Sequence, residues 1–395
     1  MRRLALLVVV LVTAAACGDG GDGRQSPPVA KIGVIVPLDA GLVDFGKGIR
    51  NSVQLAVDEA NRRDVIPGWR LELVALDDSS DPGVGESAAR RMAGDPSAIG
   101  VVGTYNSGVA TRVAPVLGHA GVAMVSPANT DPALTMGTDV GQPQRPYGNY
   151  FRMIASDSLQ GRFLAGYALS DLGVRRAAVV SETKAVSKGL ADVFGSAFTG
   201  GGGTVVRQTV VPDGTTDFGE VVRTIASLRP DLLFFGGEYL VGAQLRRDAV
   251  SAGLRVPVMG GDGIKDPSYI ARAGPASEGD LASTVGTPLE SLTSARPFVD
   301  AYTAAGFAEP ATDYGPYAYD AANVLIAAAA PALRGKDSVT PEVRREVVSG
   351  VQSTDLAGSS GRVAFDEFGD SRTKVFTLYK VEAGAWKPEK TQTLS

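Results

Sequence analysis

The side chains that most often carry catalysis or bind metals are few and scattered in this chain. His119 is the only histidine, and a lone histidine completes neither a Ser-His-Asp triad nor a zinc site, because both need partners. We interpret it as a surface or capping residue. The acidic segment 77–81 (DDSSD) could bind a metal, but carboxylates before a proline more often cap a turn. The sequence therefore predicts a protein that is not an enzyme and holds no metal.

Glycine-rich segments that could bind a phosphate are incomplete. Residues 46–51 (GKGIRN) begin like a dinucleotide-binding fingerprint but lack its third glycine, and no Walker-type loop occurs. The chain carries 38 Lys and Arg against 43 Asp and Glu, a formal net charge of −5. With no basic patch, that balance argues against a nucleic-acid partner. No cofactor is predicted.

Two hydroxyl residues occupy positions that suit an anion. Ser107 follows a predicted strand over 99–102, and Thr130 follows a predicted strand over 122–125. A loop that leaves a strand and opens a helix offers free N–H groups at the positive end of that helix, which suits a carboxylate. The alternative is that both hydroxyls only cap helices, and the two roles are compatible.

The N-terminus has the features of a bacterial export signal. A basic start precedes the apolar run 4–12, which at nine residues is far short of the roughly 20 needed to span a bilayer. Residues 1–16 are therefore predicted to be a signal peptide. Small residues before Cys17 resemble a lipobox, although Ala14 stands where leucine is usual. Cys17 is predicted to carry a lipid, with an ordinary cleaved signal as the alternative.

The segment after the signal is predicted to connect an anchor to a folded body. Cys17 is the only cysteine, which excludes an intrachain disulfide. Residues 17–28 are rich in Gly, Asp, Ser and Pro and are predicted to form a lipid-anchored flexible tether. From residue 29 onward the length suits two domains of roughly 150 residues each. The protein is therefore expected outside the cytoplasm, anchored to the bacterial cell membrane.

The body of the chain alternates short apolar strands with amphipathic helices. A first series begins with a strand over 31–37, a short apolar and β-branched run as expected for a strand buried on both faces, and a helix over 46–63. A second series begins near residue 151. Three helices follow, and a hairpin-like segment over 361–386 ends the chain. The pattern predicts an α/β fold with two doubly wound parallel-sheet lobes and a ligand cleft between them.

Several segments, in the same order, give the chain a resemblance to a known family. They are 44–49 (DFGKGI), 55–61 (LAVDEAN), 77–82 (DDSSDP), 103–108 (GTYNSG), 126–132 (SPANTDP), 230–237 (PDLLFFGG), 361–370 (GRVAFDEFGD) and 379–386 (YKVEAGAW). The chain resembles the type I periplasmic binding proteins, close to the branched-chain amino-acid-binding (Leu/Ile/Val-binding) family of ABC transporters. The resemblance implies two lobes joined by three crossover strands. Residues 29–152 with 290–357 would form lobe 1, and 153–289 with 358–395 lobe 2.

The resemblance implies roles for five residues of lobe 1. Ser107 would receive the ligand carboxylate with its hydroxyl and N–H. Thr130 would give its N–H to the carboxylate while its hydroxyl takes the ammonium, and the carbonyl of Ala128 would accept from the ammonium. Phe45 would lie near the ligand side chain and Tyr105 in the carboxylate loop. For both aromatic residues a core position is the alternative.

The resemblance fails in lobe 2. Val241 stands where the family has a glutamate that holds the ammonium, and Val186 where it has a tyrosine beside the ligand. Asp262 or Glu238, each at a strand end, could replace the missing acid, because a buried ammonium needs a charge partner. A solvated loop residue is the alternative for each acid. Tyr239 is predicted to stack on the ligand or cover it.

Together these features predict an extracytoplasmic solute-binding lipoprotein of an ABC importer. It would bind a small amino acid or amino-acid-like carboxylate by closing the cleft. Its expected partners are that ligand, the permease subunits of the transporter and, through the lipid, the membrane. Two alternatives remain: a ligand-sensing lipoprotein of the same fold, and a binder of another small solute such as an amide, urea or an aromatic acid.

Overall fold

The computed structural model describes residues 27–139 and 142–394. The predicted signal peptide 1–16, the predicted lipidation site Cys17 and most of the predicted tether 17–28 lie outside these residues. Within the described ranges, no helix has both the length and the apolar character that a membrane crossing requires.

The first sheet has five parallel strands in the order β2-β1-β3-β4-β5. Its strands are β1 (Val29–Val36), β2 (Arg70–Asp77), β3 (Ala98–Gly103), β4 (Ala123–Ser126) and β5 (Tyr150–Arg152). The helices between them are α1 (Val43–Arg62), α2 (Pro82–Gly94), α3 (Ser107–His119) and α4 (Ala133–Met136). The central strands β3 and β4 are buried along their whole length, as expected for strands in the middle of a parallel sheet with helices on both faces.

The acidic segment 77–81 acts in this lobe as a set of turn caps. Asp77 Oδ1 accepts from the N–H of Leu38 at 2.7 Å, and Asp81 Oδ1 accepts from two N–H groups in the first turn of α2. His119, at the end of α3, places Nδ1 2.6 Å from the carbonyl of Pro115. Among the described residues, no group of three or more His, Cys, Asp or Glu side chains is arranged to hold a metal ion.

The second sheet has seven strands in the order β14-β13-β10-β9-β8-β6-β7. The strands that begin it are β6 (Arg176–Glu182), β7 (Thr204–Val211), β8 (Leu232–Gly236), β9 (Val258–Gly260) and β10 (Leu281–Val285). These five are parallel to one another. The helices are α5 (Asp157–Ser170), α6 (Ala185–Gly200), α7 (Gly219–Ser227), α8 (Tyr239–Ser251) and α9 (Pro267–Ala273), with a short 3-10 helix at Asp262–Ile264.

After β10 the chain returns to the first sheet and then leaves it again. The returning helices are α10 (Arg296–Ala305), α11 (Gly315–Leu333) and α12 (Pro341–Gln352). Helix α11 packs on α1, β3 and β4. A small hairpin follows, β11 (Asp355–Gly358) with β12 (Gly361–Ala364), before β13 (Val375–Glu382) and β14 (Ala385–Thr393) extend the second sheet. The chain therefore passes between the sheets three times, after β5, β10 and β12, and the predicted α/β architecture is confirmed.

The C-terminal pairing differs from the hairpin predicted over 361–386. Residues 361–364 pair backwards with β11, and the terminal hairpin is formed by β13 and β14 alone. Its two-residue turn places Ala383 at φ 53° and Gly384 at φ 73°, the left-handed conformation that matches the twist of antiparallel strands.

A buried ion pair fixes the first passage between the sheets. Arg152, at the end of β5, is fully buried, and its Nε donates to Asp370 Oδ1 at 2.5 Å. The same guanidinium donates to the carbonyl of Asp131 at 2.8 Å and to the hydroxyl of Thr135. Because a planar guanidinium can donate in several fixed directions, Arg152 holds the loop after β4 in place.

Candidate functional site

A cavity lies where the carboxyl ends of strands from both sheets face each other. It is lined by Tyr105, Asn106, Ser107, Ala128, Thr130, Asp157, Val186, Ser187, Leu190, Gly237, Glu238, Asp262 and Gly263. It encloses about 60 Å³, and since a water molecule needs roughly 10–15 Å³ of such space, it has room for a handful of water-sized groups. Ends of parallel strands at a lobe junction are favoured ligand sites.

Ser107 presents a hydroxyl proton at one end of the cavity. Its Oγ accepts from the N–H of Thr130 at 3.2 Å and from the N–H of Asp131 at 3.3 Å. Both acceptor positions of this hydroxyl are then in use, so its own proton is left to donate elsewhere. Ser107 also begins α3, whose first N–H groups have no acceptor within the helix. This corner of the cavity is therefore rich in donors and suits a carboxylate.

Two carboxylates face these donors from the second lobe. Asp157 begins α5, is 2% exposed and accepts at Oδ2 from the hydroxyl of Thr130 at 3.0 Å. Its Oδ1 is buried with no hydrogen-bond partner among the described residues. Asp262 accepts at Oδ1 from Gln160 at 3.1 Å and at Oδ2 from the hydroxyl of Tyr314. Neither carboxylate forms a salt bridge with a basic side chain in the described ranges.

The protonation of both acids is strongly affected by the cavity. Burial raises the pKa of Asp157 well above its ordinary value, and the negative charge of Asp262 raises it further, against the opposing hydrogen bond from Thr130. Burial also raises the pKa of Asp262, against hydrogen bonds from Tyr314 and Gln160. Two desolvated carboxylates that repel each other favour a positive group between them.

Glu238 has a different environment from Asp262, although both follow strands of the second sheet. Its Oε1 accepts from Asn106 Nδ2 at 2.9 Å, and its Oε2 accepts from Lys184 Nζ at 2.7 Å. Its charge is thus already matched by a lysine. Of the two acids that the sequence offered as partners for an ammonium, Asp262 is the one whose charge is unmatched.

Four aromatic rings form a cluster behind one wall of the cavity. Phe45 stacks on Tyr105 with ring centroids 4.7 Å apart, and Tyr314 lies edge-on to both. Tyr239, from the second lobe, lies edge-on to Phe45 at 5.9 Å. Its hydroxyl donates to Asp44 Oδ2 at 3.2 Å. Only Tyr105 of the four lines the cavity.

The residues predicted from the sequence are partly assembled around this cavity. Its lining includes Ser107, Thr130, Ala128, Tyr105, Asp262 and Glu238, whereas Phe45 and Tyr239 lie behind Tyr105. Val241 is buried on α8 and does not line the cavity. Asp157 and Asn106 also line the cavity and were not predicted from the sequence. The available signal was the acid in the first turn of α5, at the start of the second βα series.

Contacts between the lobes show that the cleft is closed. Thr130 reaches Asp157, and Asn106 reaches Glu238, across the cavity itself. Nearer the third passage of the chain, Lys265 Nζ lies 2.6 Å from Asp313 Oδ2. The bonds of Asn106 with Glu238 and of Lys265 with Asp313 connect segments of the two lobes that lie far apart in the chain. Asp157, by contrast, follows soon after β5, and its N–H also donates to the carbonyl of Thr130 at 2.9 Å, so this contact lies beside the first passage between the sheets.

Two α/β lobes closed over a small polar cavity, with donors at one end and unmatched carboxylates at the other, define a solute-binding protein. The family model described as periplasmic binding protein matches residues 29–385. The chain belongs to this family. Its members bind solutes outside the cytoplasm, and the prediction that the chain is not an enzyme is confirmed by that membership.

Curated relatives and solved structures agree with this assignment. The Leu/Ile/Val-binding protein BraC3 of Rhizobium johnstonii is 32% identical over 353 residues, which cover 89% of this chain and 92% of the relative. The Leu/Ile/Val-binding protein homolog 3 of Brucella melitensis is 31% identical, covering 89% of this chain and 91% of the relative. These similarities extend over both lobes.

Among solved structures, a leucine-binding protein LivK from Thermotoga maritima has a TM-score of 0.79 at 27% identity, covering 92% of this chain and 98% of that chain. A solute-binding protein of an ABC transporter from R. palustris, in complex with benzoate, has a TM-score of 0.78 at 21% identity, covering 93% of this chain and 98% of that chain. The second likeness is one of fold alone.

Proposed function

We propose that the chain is the extracytoplasmic solute-binding lipoprotein of an ABC importer, and that it binds a small amino acid or a close analogue by cleft closure. The observation that carries the proposal is the pair Asp157, which is buried, and Asp262, which is half-buried; both carboxylates line the cavity without a basic partner among the described residues. Burying unpaired charge costs several kcal/mol in a protein interior. An ammonium group on the ligand would offset that cost.

The head group of an α-amino acid fits the two ends of the cavity. Its carboxylate would receive the Ser107 hydroxyl proton and the free N–H groups that begin α3. Its ammonium has three N–H donors. The acceptors available to them are the carbonyl of Ala128, the unpartnered Oδ1 of Asp157 and the carboxylate of Asp262.

The groups that would bind the ligand head group come from both lobes, which couples binding to closure. The carboxylate corner belongs to the first sheet, whereas Asp157 and Asp262 belong to the second. A ligand docked on the first lobe alone would leave its ammonium without Asp262, whereas Asp157 stays beside Thr130 through a backbone hydrogen bond. Closure brings Asp262 in, so the ligand binds the closed state better and shifts the equilibrium toward it. We assign residues 29–152 with 290–357 to lobe 1, and 153–289 with 358–395 to lobe 2.

The names of the relatives support an amino acid as the ligand class and a transporter as the partner. Two curated relatives above 30% identity are Leu/Ile/Val-binding proteins. The closed form would be recognised by permease subunits. Anchoring through Cys17, after removal of residues 1–16, would keep the protein near them.

A thermal-shift screen of the purified protein tests the ligand class. Free amino acids should raise the melting temperature, because a ligand that binds only the native state stabilises it. Amides, urea and aromatic acids complete the panel. If no free amino acid shifts the melting temperature while a carboxylate without an amine does, the ammonium site is wrong. Ser107→Ala should weaken the binding of any ligand that carries a carboxylate. An unchanged affinity would contradict the assignment of the carboxylate site to Ser107.

A further inference from the structure

One part of the cavity wall beyond the proposed head-group site is polar, around Asn106. Asn106 and Glu238 meet across the cavity at 2.9 Å, and Lys184 contacts Glu238 from the other side at 2.7 Å. Ser187, which is buried on α6, lines the same wall. The apolar part of the lining that the structure describes comes from the ring of Tyr105, from Val186 and Leu190 on α6, and from Ala128 and glycines on the strand-end loops. An aliphatic ligand side chain that extends toward Asn106 would therefore be placed against polar atoms.

Asn106 carries an unused hydrogen-bond acceptor at this wall. Its Nδ2 donates to Glu238 Oε1, and since a carboxylate can only accept, the amide orientation is fixed by this bond. Its Oδ1 is buried and has no partner among the residues that the structure describes. A buried amide oxygen without a donor costs free energy. A ligand group that donates to it would recover that cost.

We infer that the ligand is a short amino acid whose side chain ends in a hydroxyl or amide donor, and that Asn106 determines this preference by accepting from it. The inference rests on the proposed function, because the head group must dock as described for the side chain to reach this wall. The enclosed space of about 60 Å³ favours a short side chain. Serine, threonine and asparagine are the ligands of this class.

The charges around the cavity argue against an acidic side chain. Asp157, Glu238 and Asp262 all line the cavity, and Lys184 is already paired with Glu238. A second ligand carboxylate would therefore meet repulsion that the lysine cannot relieve without giving up Glu238. An aliphatic side chain meets no repulsion, but it leaves the Asn106 oxygen unpaired.

Isosteric ligand pairs test the inference on the unmodified full chain. Threonine and valine differ by a hydroxyl in place of a methyl, and serine differs from 2-aminobutyrate in the same way. Calorimetric titration should give threonine over valine, and serine over 2-aminobutyrate, by roughly tenfold to a hundredfold in Kd. In Asn106→Leu the preference should disappear or reverse. Gln392→Leu, an amide replaced by leucine on the exposed face of β14, should keep it.

The possible outcomes separate this inference from the function on which it rests. If valine binds as tightly as threonine to the unmodified chain, the inference is overturned while the amino-acid site stands. If no amino acid binds, the proposed function fails, and the inference fails with it. Thermal unfolding of ligand-free Asn106→Leu checks its folding. If Asn106→Leu is unfolded, Asn106→Ala is the second variant. The ligand pairs measured on the unmodified chain test the preference for a side-chain donor even without a variant.

Discussion

At the scale of single residues, Asp262 connects the ligand cavity to the rest of the protein. It lines the cavity while accepting hydrogen bonds from Gln160 on α5 and from Tyr314 at the start of α11. The bond from Tyr314 crosses between the lobes. One carboxylate can thus both pair a ligand ammonium and hold the cleft closed, and ionisation of that carboxylate by the ligand would strengthen the bond from Tyr314.

Asp262→Asn should weaken amino-acid binding without preventing folding. The variant keeps an oxygen for Gln160 or Tyr314 but loses the charge opposite the ammonium, so we expect a loss of about 2–3 kcal/mol, or roughly 30- to 150-fold in Kd by calorimetric titration. Asp192→Asn removes a carboxylate from an exposed pair with Lys188 on α6 and should bind normally. Equal affinity of Asp262→Asn and the unmodified chain would show that Asp157 alone pairs the ligand ammonium.

Asp78 should make the protein less stable as pH rises. It is fully buried, with Oδ2 unpartnered among the described residues, and burial raises its pKa to about 7. Because the folded-state pKa lies above the unfolded value, folding carries a penalty that grows from about pH 4 to pH 7 and stays constant above. Asp78→Asn should therefore be more stable by about 1–3 kcal/mol at pH 8, with the difference vanishing near pH 4.

Asp77 is the matched control for this effect. Burial alone would raise its pKa, but the N–H of Leu38 and the donors of Ser79 outweigh burial and hold the pKa below its usual value. A lowered folded-state pKa contributes stability above the unfolded value, which is lost as pH falls through the folded value. Asp77→Asn should accordingly be less stable than the unmodified chain at pH 8. Denaturant unfolding of both variants at several pH values measures the two opposite trends, and parallel curves would contradict them.

At the scale of elements, helices α1, α8 and α9 form a second closure contact away from the cavity. Asp44 in the first turn of α1 accepts from the hydroxyls of Tyr239 on α8 and Ser268 on α9, each at 3.2 Å. The ring of Tyr239 also packs edge-on against Phe45. This contact would hold the lobes together without touching the ligand.

Tyr239→Phe should shorten the lifetime of the bound complex. The variant keeps the ring contact with Phe45 but loses one hydrogen bond to Asp44, worth about 0.5–1.5 kcal/mol. We expect dissociation of the ligand to become about 2- to 10-fold faster, with little change in association, as stopped-flow fluorescence would measure. Tyr147→Phe, in a half-buried loop before β5, is the control. A slower association with unchanged dissociation would instead assign Tyr239 to ligand entry.

The elements themselves were largely predictable, whereas the partner of β12 was not. The apolar runs that predicted β1 and β3 are local, because a strand buried on both faces must be apolar throughout. The pairing of β12 with β11 is also short in range, but residues 361–364 alternate like the strands that follow them. Their periodicity is equally compatible with either partner. The hairpin of β13 and β14 is defined by its tight turn at Ala383 and Gly384. Ala383 is an unusual residue for a left-handed position, so this turn is hard to recognise in the sequence.

Some residues of the site could be predicted from their positions after strands, whereas Asp157 and Tyr314 could not. Ser107 and Thr130 follow strands of one parallel sheet, whose carboxyl ends must meet. Asp157 looks in the sequence like an acid that stabilises the start of a helix. Tyr314 reaches Asp262 only because the chain has returned to the first lobe by then. A side chain brought to a site by a crossing between lobes has no signature in the residues around it.

At the scale of the whole molecule, closure concentrates negative charge. Asp157 and Asp262 lie on the second lobe, and the donors of Ser107 and Thr130 that face them lie on the first. Without a ligand, closing the cleft removes both carboxylates from water, and burial raises the pKa of each. At neutral pH this desolvation opposes the closing contacts at Asp44 and Asp313. An ammonium would remove the opposition, so the ligand supplies the missing charge as well as new contacts.

The ligand-free protein should therefore be more open at pH 8 than at pH 5, and a bound amino acid should close it at both. Protonation at the lower pH neutralises carboxylates whose folded-state pKa values are raised, which reduces the cost of burying them. Small-angle X-ray scattering would report a larger radius of gyration for the ligand-free chain at pH 8, decreasing on addition of ligand. Asp262→Asn should show a smaller difference between the two pH values, because one of the two charges is absent at either. A ligand-free radius that does not change with pH, in a protein that still closes on its ligand, would show that the closing contacts outweigh the cost of desolvating Asp157 and Asp262.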